Sequence, residues 1–172
     1  MASAVGETGI IIAIPQAQPL VARSHQSPDS GAALGVPAHI TLLFPFVSLP
    51  DLTRADLADL AAICTAEPGF EVTFRQVRQW PRVLWLAPEP DEPFRRLTLA
   101  IAARWPAFPP YGGKHAQVTP HLSLLESADG EPFDELERDA AAQLPLQAPA
   151  REAQLIAFDG ERYHVVHRFS LG

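Results

Sequence analysis

Two short stretches of this chain carry residue types that can move protons at a phosphate: His39-Ile40-Thr41-Leu42 and His121-Leu122-Ser123-Leu124. An unperturbed imidazole titrates near pH 6.5, so of two such groups one can be neutral and act as base while the other is charged and acts as acid. In an extended strand, side chains i and i+2 share a face. His39 and Thr41 therefore point one way while Ile40 and Leu42 point the other, and His121 and Ser123 separate from Leu122 and Leu124 in the same manner. Each stretch buries an aliphatic pair and presents an imidazole with a hydroxyl. With both polar faces turned to one cleft, a phosphodiester between them meets a base, an acid and two hydroxyl donors for its non-bridging oxygens. That chemistry calls for no metal and no other cofactor.

A single copy of the pattern is ordinarily a half-buried strand histidine satisfied by its neighbours. Two copies among six histidines arise by chance in about half a per cent of sequences of this composition. Needing the same polar geometry twice favours the catalytic reading. Both copies follow a proline closely, Pro37-Ala38 in the first and Pro120 in the second, and both run on into apolar residues.

The elements that must hold these residues are legible as switches between a period of two and a period of 3.6. Strands are predicted at Gly9 to Ile14, Ala38 to Phe44, Phe70 to Arg78, Val83 to Ala87, Val118 to Leu125, Gln154 to Asp159 and Tyr163 to Phe169. Phe70, Val72 and Phe74 alternate with Glu71, Thr73 and Arg75, the pattern of a sheet with one wet face. Helices are predicted to start at acidic caps: Asp51 ahead of Leu57, Leu60, Ala61 and Cys64; Asp91 ahead of Phe94, Leu97 and Ile101; Asp129 ahead of Phe133, Leu136 and Ala140. Residues 16 to 33 are ambiguous, because Pro19, Pro28 and Gly31 break any long helix. Hairpins are expected around Pro81 and Gly160. The expected class is α+β, with antiparallel sheets and helices packed on one side.

Composition excludes other classes. The 172 residues are 47% hydrophobic and 19% charged, too apolar for a disordered chain and of a length for one domain over residues 1–172. A net charge of −7 argues against a basic face that grips long nucleic acids, though not against a nucleotide or RNA end in a local pocket. Cys64, alone, forms no internal disulfide and reads as a small core residue. The apolar run Ile10 to Ile14 is shorter than a secretory signal core or a membrane span, so a soluble, cytoplasmic chain without a membrane partner is expected, a monomer by default.

The run Pro37-Ala38-His39-Ile40-Thr41-Leu42-Leu43-Phe44-Pro45-Phe46, with Thr119-Pro120-His121-Leu122-Ser123-Leu124, resembles the paired motifs of the 2H phosphoesterase superfamily, specifically its 2'-5' RNA ligase-like, cyclic phosphodiesterase branch. The resemblance spans nearly the whole chain. It implies a bilobed α+β fold, in which two antiparallel sheets face a central cleft with helices outside and one motif comes from each of two pseudo-symmetric lobes. It also implies hydrolysis of 2',3'-cyclic or related phosphodiesters of a nucleotide or RNA end, with RNA ligation in some relatives. His39 and His121 match the catalytic positions, and Thr41 and Ser123 the phosphate-binding ones.

Further candidates are weaker. Tyr111-Gly112-Gly113-Lys114 could set Lys114 or backbone amides beside a phosphate, or be a surface loop. Arg23, Arg82 and Tyr163 are candidates for phosphate or base contacts, and surface exposure is the ordinary alternative. Phe44, Phe46, Trp80 and Trp85 could stack a base, although strand aromatics are usually core. His164 and His167, three apart in a strand, should lie on opposite faces and make no metal pair; His25 is expected to be solvated. Two rivals to the phosphodiesterase reading are a non-catalytic binding module on the same fold and a hydrolase whose metal is held by His39, His115 or His121.

Overall fold

Segments of period two form two four-stranded antiparallel sheets in a computed structural model of the chain, which describes residues 4–22, 33–114, 117–126 and 133–172. The strands are β1 (Thr8–Ala13), β2 (His39–Leu43), β3 (Phe70–Trp80), β4 (Val83–Glu89), β5 (Leu122–Glu126), β6 (Leu146–Ala150), β7 (Glu152–Phe158) and β8 (Tyr163–Ser170). The first sheet runs β2-β1-β7-β8 and the second β5-β4-β3-β6. Both motif strands, β2 and β5, are edge strands, and these two edges are in contact. Helices α1 (Gln18–Ala22), α2 (Arg54–Ala66), α3 (Glu92–Arg104) and α4 (Asp134–Ala141) complete the α+β fold.

The wet face expected for β3 is present, with Val72 and Phe74 buried and Glu71 exposed. The strand runs two residues past its predicted end, to Trp80, before Pro81 and Arg82 turn the hairpin. At the other hairpin, Gly160 has φ +111°, a conformation that strains side-chain-bearing residues. The Asp159 carboxylate there accepts from the Glu161 and Arg162 amides, each at 2.8 Å. Strand β6 was not expected, because Pro149 interrupts it. On a sheet edge the missing N–H costs no ladder bond, and Pro149 lies opposite Glu71 on that edge.

Two helix starts differ from expectation. Asp51 closes a 3-10 turn, and the cap of α2 is Thr53, whose hydroxyl accepts from Asp56 N at 3.2 Å while the Asp56 carboxylate accepts from Thr53 N at 2.9 Å. That reciprocal pair satisfies two amides that Asp51 does not reach. Helix α4 begins at Asp134, and the cap predicted at Asp129 lies outside the described residues. Asp91 does hold the N-cap position of α3, but its carboxylate pairs with Arg95 instead of capping an amide.

One apolar cluster runs through both sheets, joining Ile10, Ile12, Ile40 and Leu42 of the first to Val72, Phe74, Leu84, Leu122 and Leu124 of the second. Helix α2 packs on β8, α3 on β2, α1 on β5 and α4 on β3. Cys64 belongs to this core, and burial pushes its thiol up to about 11. Ile40, Leu42, Leu122 and Leu124 are buried as expected, each contributing about 1.5–3 kcal/mol by burial. Among the described residues no helix is long and apolar enough to cross a membrane.

Candidate active site

Each motif histidine is oriented by the backbone just before it. His39 Nδ1 donates to the Pro37 carbonyl at 2.7 Å, and His121 Nδ1 to the Thr119 carbonyl at 2.8 Å. A carbonyl only accepts, so the proton sits on Nδ1 in both rings and Nε2 is left for chemistry. The segments that carry these carbonyls are themselves fixed. Ala38 N donates to Gln18 Oε1 at 2.7 Å, Ile14 N donates to the Ala38 carbonyl at 2.7 Å, and Arg95 Nε donates to the Val118 carbonyl at 3.3 Å. Because the Val118 and Thr119 carbonyls go to side chains, β5 begins at Leu122 rather than at the predicted Val118, and His121 stands immediately before the strand.

The two motifs also share a bulge. Ile10 and Ile11 face Leu43 and Thr41, leaving Leu42 as the extra residue; Leu84 and Trp85 face Leu125 and Ser123, leaving Leu124 as the extra residue. In each motif the irregularity falls one residue after the hydroxyl, where it re-aims the polar pair relative to its sheet.

His39, Thr41 and His121 line one cleft of about 350 Å³ with Ile11, Leu34, Val36, Leu42, Leu43, Phe44, Pro110, Tyr111, Ile156 and Tyr163. Ile11, Val36, Ile156 and Tyr163 of this lining belong to a second apolar cluster that Phe158 completes. Tyr163 OH donates to Glu7 Oε1 at 2.9 Å. Phe44, expected in the core, is 40% exposed at the cleft, with its ring edge-on to Tyr163 at 6.4 Å. A Cβ on Gly9 would come within 2.7 Å of the Phe44 ring, so only glycine lets the ring lie there. A polar end formed by His39, Thr41 and His121 beside an apolar pocket suits a ligand with one polar and one flat apolar part.

Tyr111 adopts φ 55° and ψ 28°, a left-handed conformation that side-chain-bearing residues rarely take. Gly112 and Gly113, which follow it, are also at positive φ. Tyr111 OH donates to the Thr119 carbonyl at 3.0 Å, the acceptor already used by His121, and the two rings lie 6.2 Å apart. His121 also makes T-shaped contacts with Trp80 at 4.9 Å and Trp85 at 6.0 Å. Trp85 is 4% exposed, and its Nε1 has no acceptor among the described residues.

The remaining candidates separate cleanly. Tyr111 and Tyr163 line the cleft, whereas Lys114 and Arg82 are exposed and do not. Ser123 is half-buried across from Trp85 and is not among the residues that line the cleft. Phe46 is a correction: it is 3% exposed and packs between Trp105 and Phe108, with centroids at 5.2 and 5.7 Å, because the chain turns at Pro45 and sends Phe44 and Phe46 to different sides. Arg23, His25 and His115 lie outside the described residues. His164 faces Asp159 and His167 the Phe169 ring. Among the described residues no group of three His, Cys, Asp or Glu side chains is arranged to hold a metal. Trp85, a stacking or core candidate in the sequence, is buried beside His121, whereas the shared Thr119 carbonyl has no signal in the sequence because every residue carries one.

Both imidazoles are held below the ordinary histidine range, chiefly by burial. The backbone hydrogen bonds oppose this without reversing it, and for His39 the charge on His121 adds to the lowering. The two therefore share one proton more readily than they hold two. A singly protonated active form predicts a bell-shaped kcat/KM against pH, with its maximum on the acid side of pH 6.5. A bound phosphate favours the imidazolium, so the kcat profile should lie at higher pH than that of kcat/KM. A kcat/KM maximum well above pH 7 would contradict this reading. For stability, the unfolded chain takes up protons near pH 6.5 before the native sites do, so native stability should fall as pH drops below 6.5 and level off below the native pKa values. Thermal unfolding of His39→Asn should show a shallower loss between pH 7 and pH 5 than the wild type.

Comparison with known proteins agrees with this architecture. The sequence family described as the 2'-5' RNA ligase superfamily matches residues 14–162. E. coli LigT, solved in complex with 3'-AMP, superposes with a TM-score of 0.59 at 21% identity over 98% of this chain and 99% of its own. TT0787 of Thermus thermophilus superposes with a TM-score of 0.57 at 18% identity over 96% and 97%. A structure described as a phosphoesterase gives 0.56 at 21% identity over 98% and 99%. No curated protein sequence matches the chain.

Proposed function

This chain belongs to the 2'-5' RNA ligase superfamily, whose 2H phosphoesterase relatives share its fold, and from that premise we propose that it opens a 2',3'-cyclic phosphate, or a related cyclic phosphodiester, of a nucleotide or RNA end. The observation that carries the reading is the matched anchoring of the two imidazoles on opposite motifs of one cleft, each through Nδ1 to the carbonyl two residues upstream. In the singly protonated pair, the neutral Nε2 takes a proton from water as its oxygen bonds to phosphorus. The bond to the 2' or 3' oxygen breaks, and the charged imidazole gives its proton to that leaving oxygen. A phosphomonoester results, and the pair's proton has moved to the other histidine. Either ring can play either part, according to how the ester lies. Thr41 donates to a non-bridging oxygen, and the apolar lining of Ile11, Val36 and Ile156 receives the base.

Incubation with 2',3'-cyclic nucleotides and with RNA carrying a cyclic-phosphate end should yield monoesters, and the position of the product phosphate reports which bond opens. Binding without turnover at high protein concentration would instead favour a non-catalytic module. Since the two imidazoles supply acid and base, activity is expected to survive exhaustive chelation. Loss on EDTA treatment with recovery on adding one particular metal would overturn the two-histidine mechanism.

A further inference from the structure

The two motif strands continue into unlike rungs across their sheets. In the first sheet Thr41 faces Ile11, and Ile11 faces Gln154, an uncharged rung whose last two residues are buried. In the second, Ser123 faces Trp85, and Trp85 faces Arg78 on β3. Arg78 is exposed and makes no ion pair among the described residues, and its guanidinium lies 5.7 Å from the Trp85 ring centroid. Its Nη2 donates to Gln76 Oε1 at 3.1 Å, a neutral partner that leaves the charge uncompensated. Arg75, earlier on the same strand, is by contrast paired with Glu89 at 3.2 Å. The Arg78 charge is thus drawn over β4, one strand spacing of about 4.8 Å from the strand of Ser123. Beside it the half-buried Trp80 lies against Trp85, centroids 4.5 Å apart, and makes a T-shaped contact with His121 at 4.9 Å.

A planar cation and a flat aromatic face adjoining a phosphate-handling group match the alternation of phosphate and base in a single strand. We propose that this rung is a subsite for the nucleotide that precedes the reacting end: Arg78 takes its phosphate and Trp80 stacks its base. The assignment rests on the phosphodiesterase reading and deepens it, since it makes an RNA end, rather than a free cyclic mononucleotide, the better substrate. It needs no basic face, because one flanking phosphate is held at a time, which fits the net charge of −7.

The experiment compares a short oligoribonucleotide ending in a 2',3'-cyclic phosphate with the matching cyclic mononucleotide, and measures binding of the same oligonucleotide ending in a 3'-phosphate. Wild-type protein should prefer the oligonucleotide in kcat/KM by about tenfold or more, the scale of one stacked base. Arg78→Gln should lower that preference and weaken oligonucleotide binding several-fold, with a smaller salt dependence by somewhat under one charge. Arg75→Gln, the same charge change on the same strand, should leave the preference as it is. Equal kcat/KM for the two substrates, or equal losses in both arginine variants, would overturn the subsite. Absence of turnover on every ester would count against the phosphodiesterase reading instead, and the binding arm would still test Arg78.

Discussion

His39→Ala and His121→Ala are each expected to lower kcat/KM toward a 2',3'-cyclic nucleotide by about 10²- to 10⁴-fold, the usual weight of general acid or base catalysis. The double variant should lose far less than the product of the single losses, because the two groups hand one proton through a single sequence and neither works well without the other. The fold should tolerate the changes. The motif anchors Ile40, Leu42, Leu122 and Leu124 stay buried in the shared core, while the imidazoles line a cleft and, among the described residues, hydrogen-bond the carbonyls two residues upstream. Removing either ring also removes a group that resists protonation, so native stability in mild acid should hold or improve. Steady-state kinetics and thermal unfolding on the three variants check this. A folded single variant with near-normal turnover would take that histidine out of the mechanism and leave it a structural strand residue.

The second large effect concerns the hydroxyls. Thr41→Val keeps the shape of a β-branched strand residue and deletes a donor at the cleft, and about a 10²-fold fall in kcat is expected by comparison with single oxyanion donors. Ser123→Ala should cost less, because Ser123 lies across from Trp85 and is not among the residues that line the cleft. The contrast departs from the symmetry of the two tetrapeptides and is readable in one experiment with both variants. Equal losses would mean that Ser123 reaches the phosphate as fully as Thr41 does; wild-type turnover in both would mean that the hydroxyls serve the strands alone.

Several features of the site were legible because they depend only on neighbours in sequence. The alternation of a strand decides that Ile40 and Leu42 leave the face of His39 and Thr41, and the same holds for Leu122 and Leu124. The burial of Cys64 follows from helical spacing with Leu57, Leu60 and Ala61. Capping was read one step wrong at α2, where an acidic residue at Asp51 looked adequate and the reciprocal Thr53 and Asp56 pair won by satisfying two amides at once. Strand β6 escaped because a proline argues against a strand until its place on a sheet edge is known.

By itself the sequence determined the reacting groups, their faces and the aliphatic anchors that hold them, since these are set by side-chain chemistry and a period of two. Tertiary structure alone decided that β2 and β5 are the adjoining edges of different sheets, which brings His39 and His121 to one cleft. It also decided the bulges at Leu42 and Leu124, the backbone carbonyls that select each tautomer, the inward turn of Phe46 and the rung from Ser123 through Trp85 to Arg78. The physical reason is that pairing and register between strands far apart in the chain are chosen by the packing of the whole core, where Ile10, Ile40, Leu84 and Leu122 meet, and no local pattern encodes which distant strand a given edge will face.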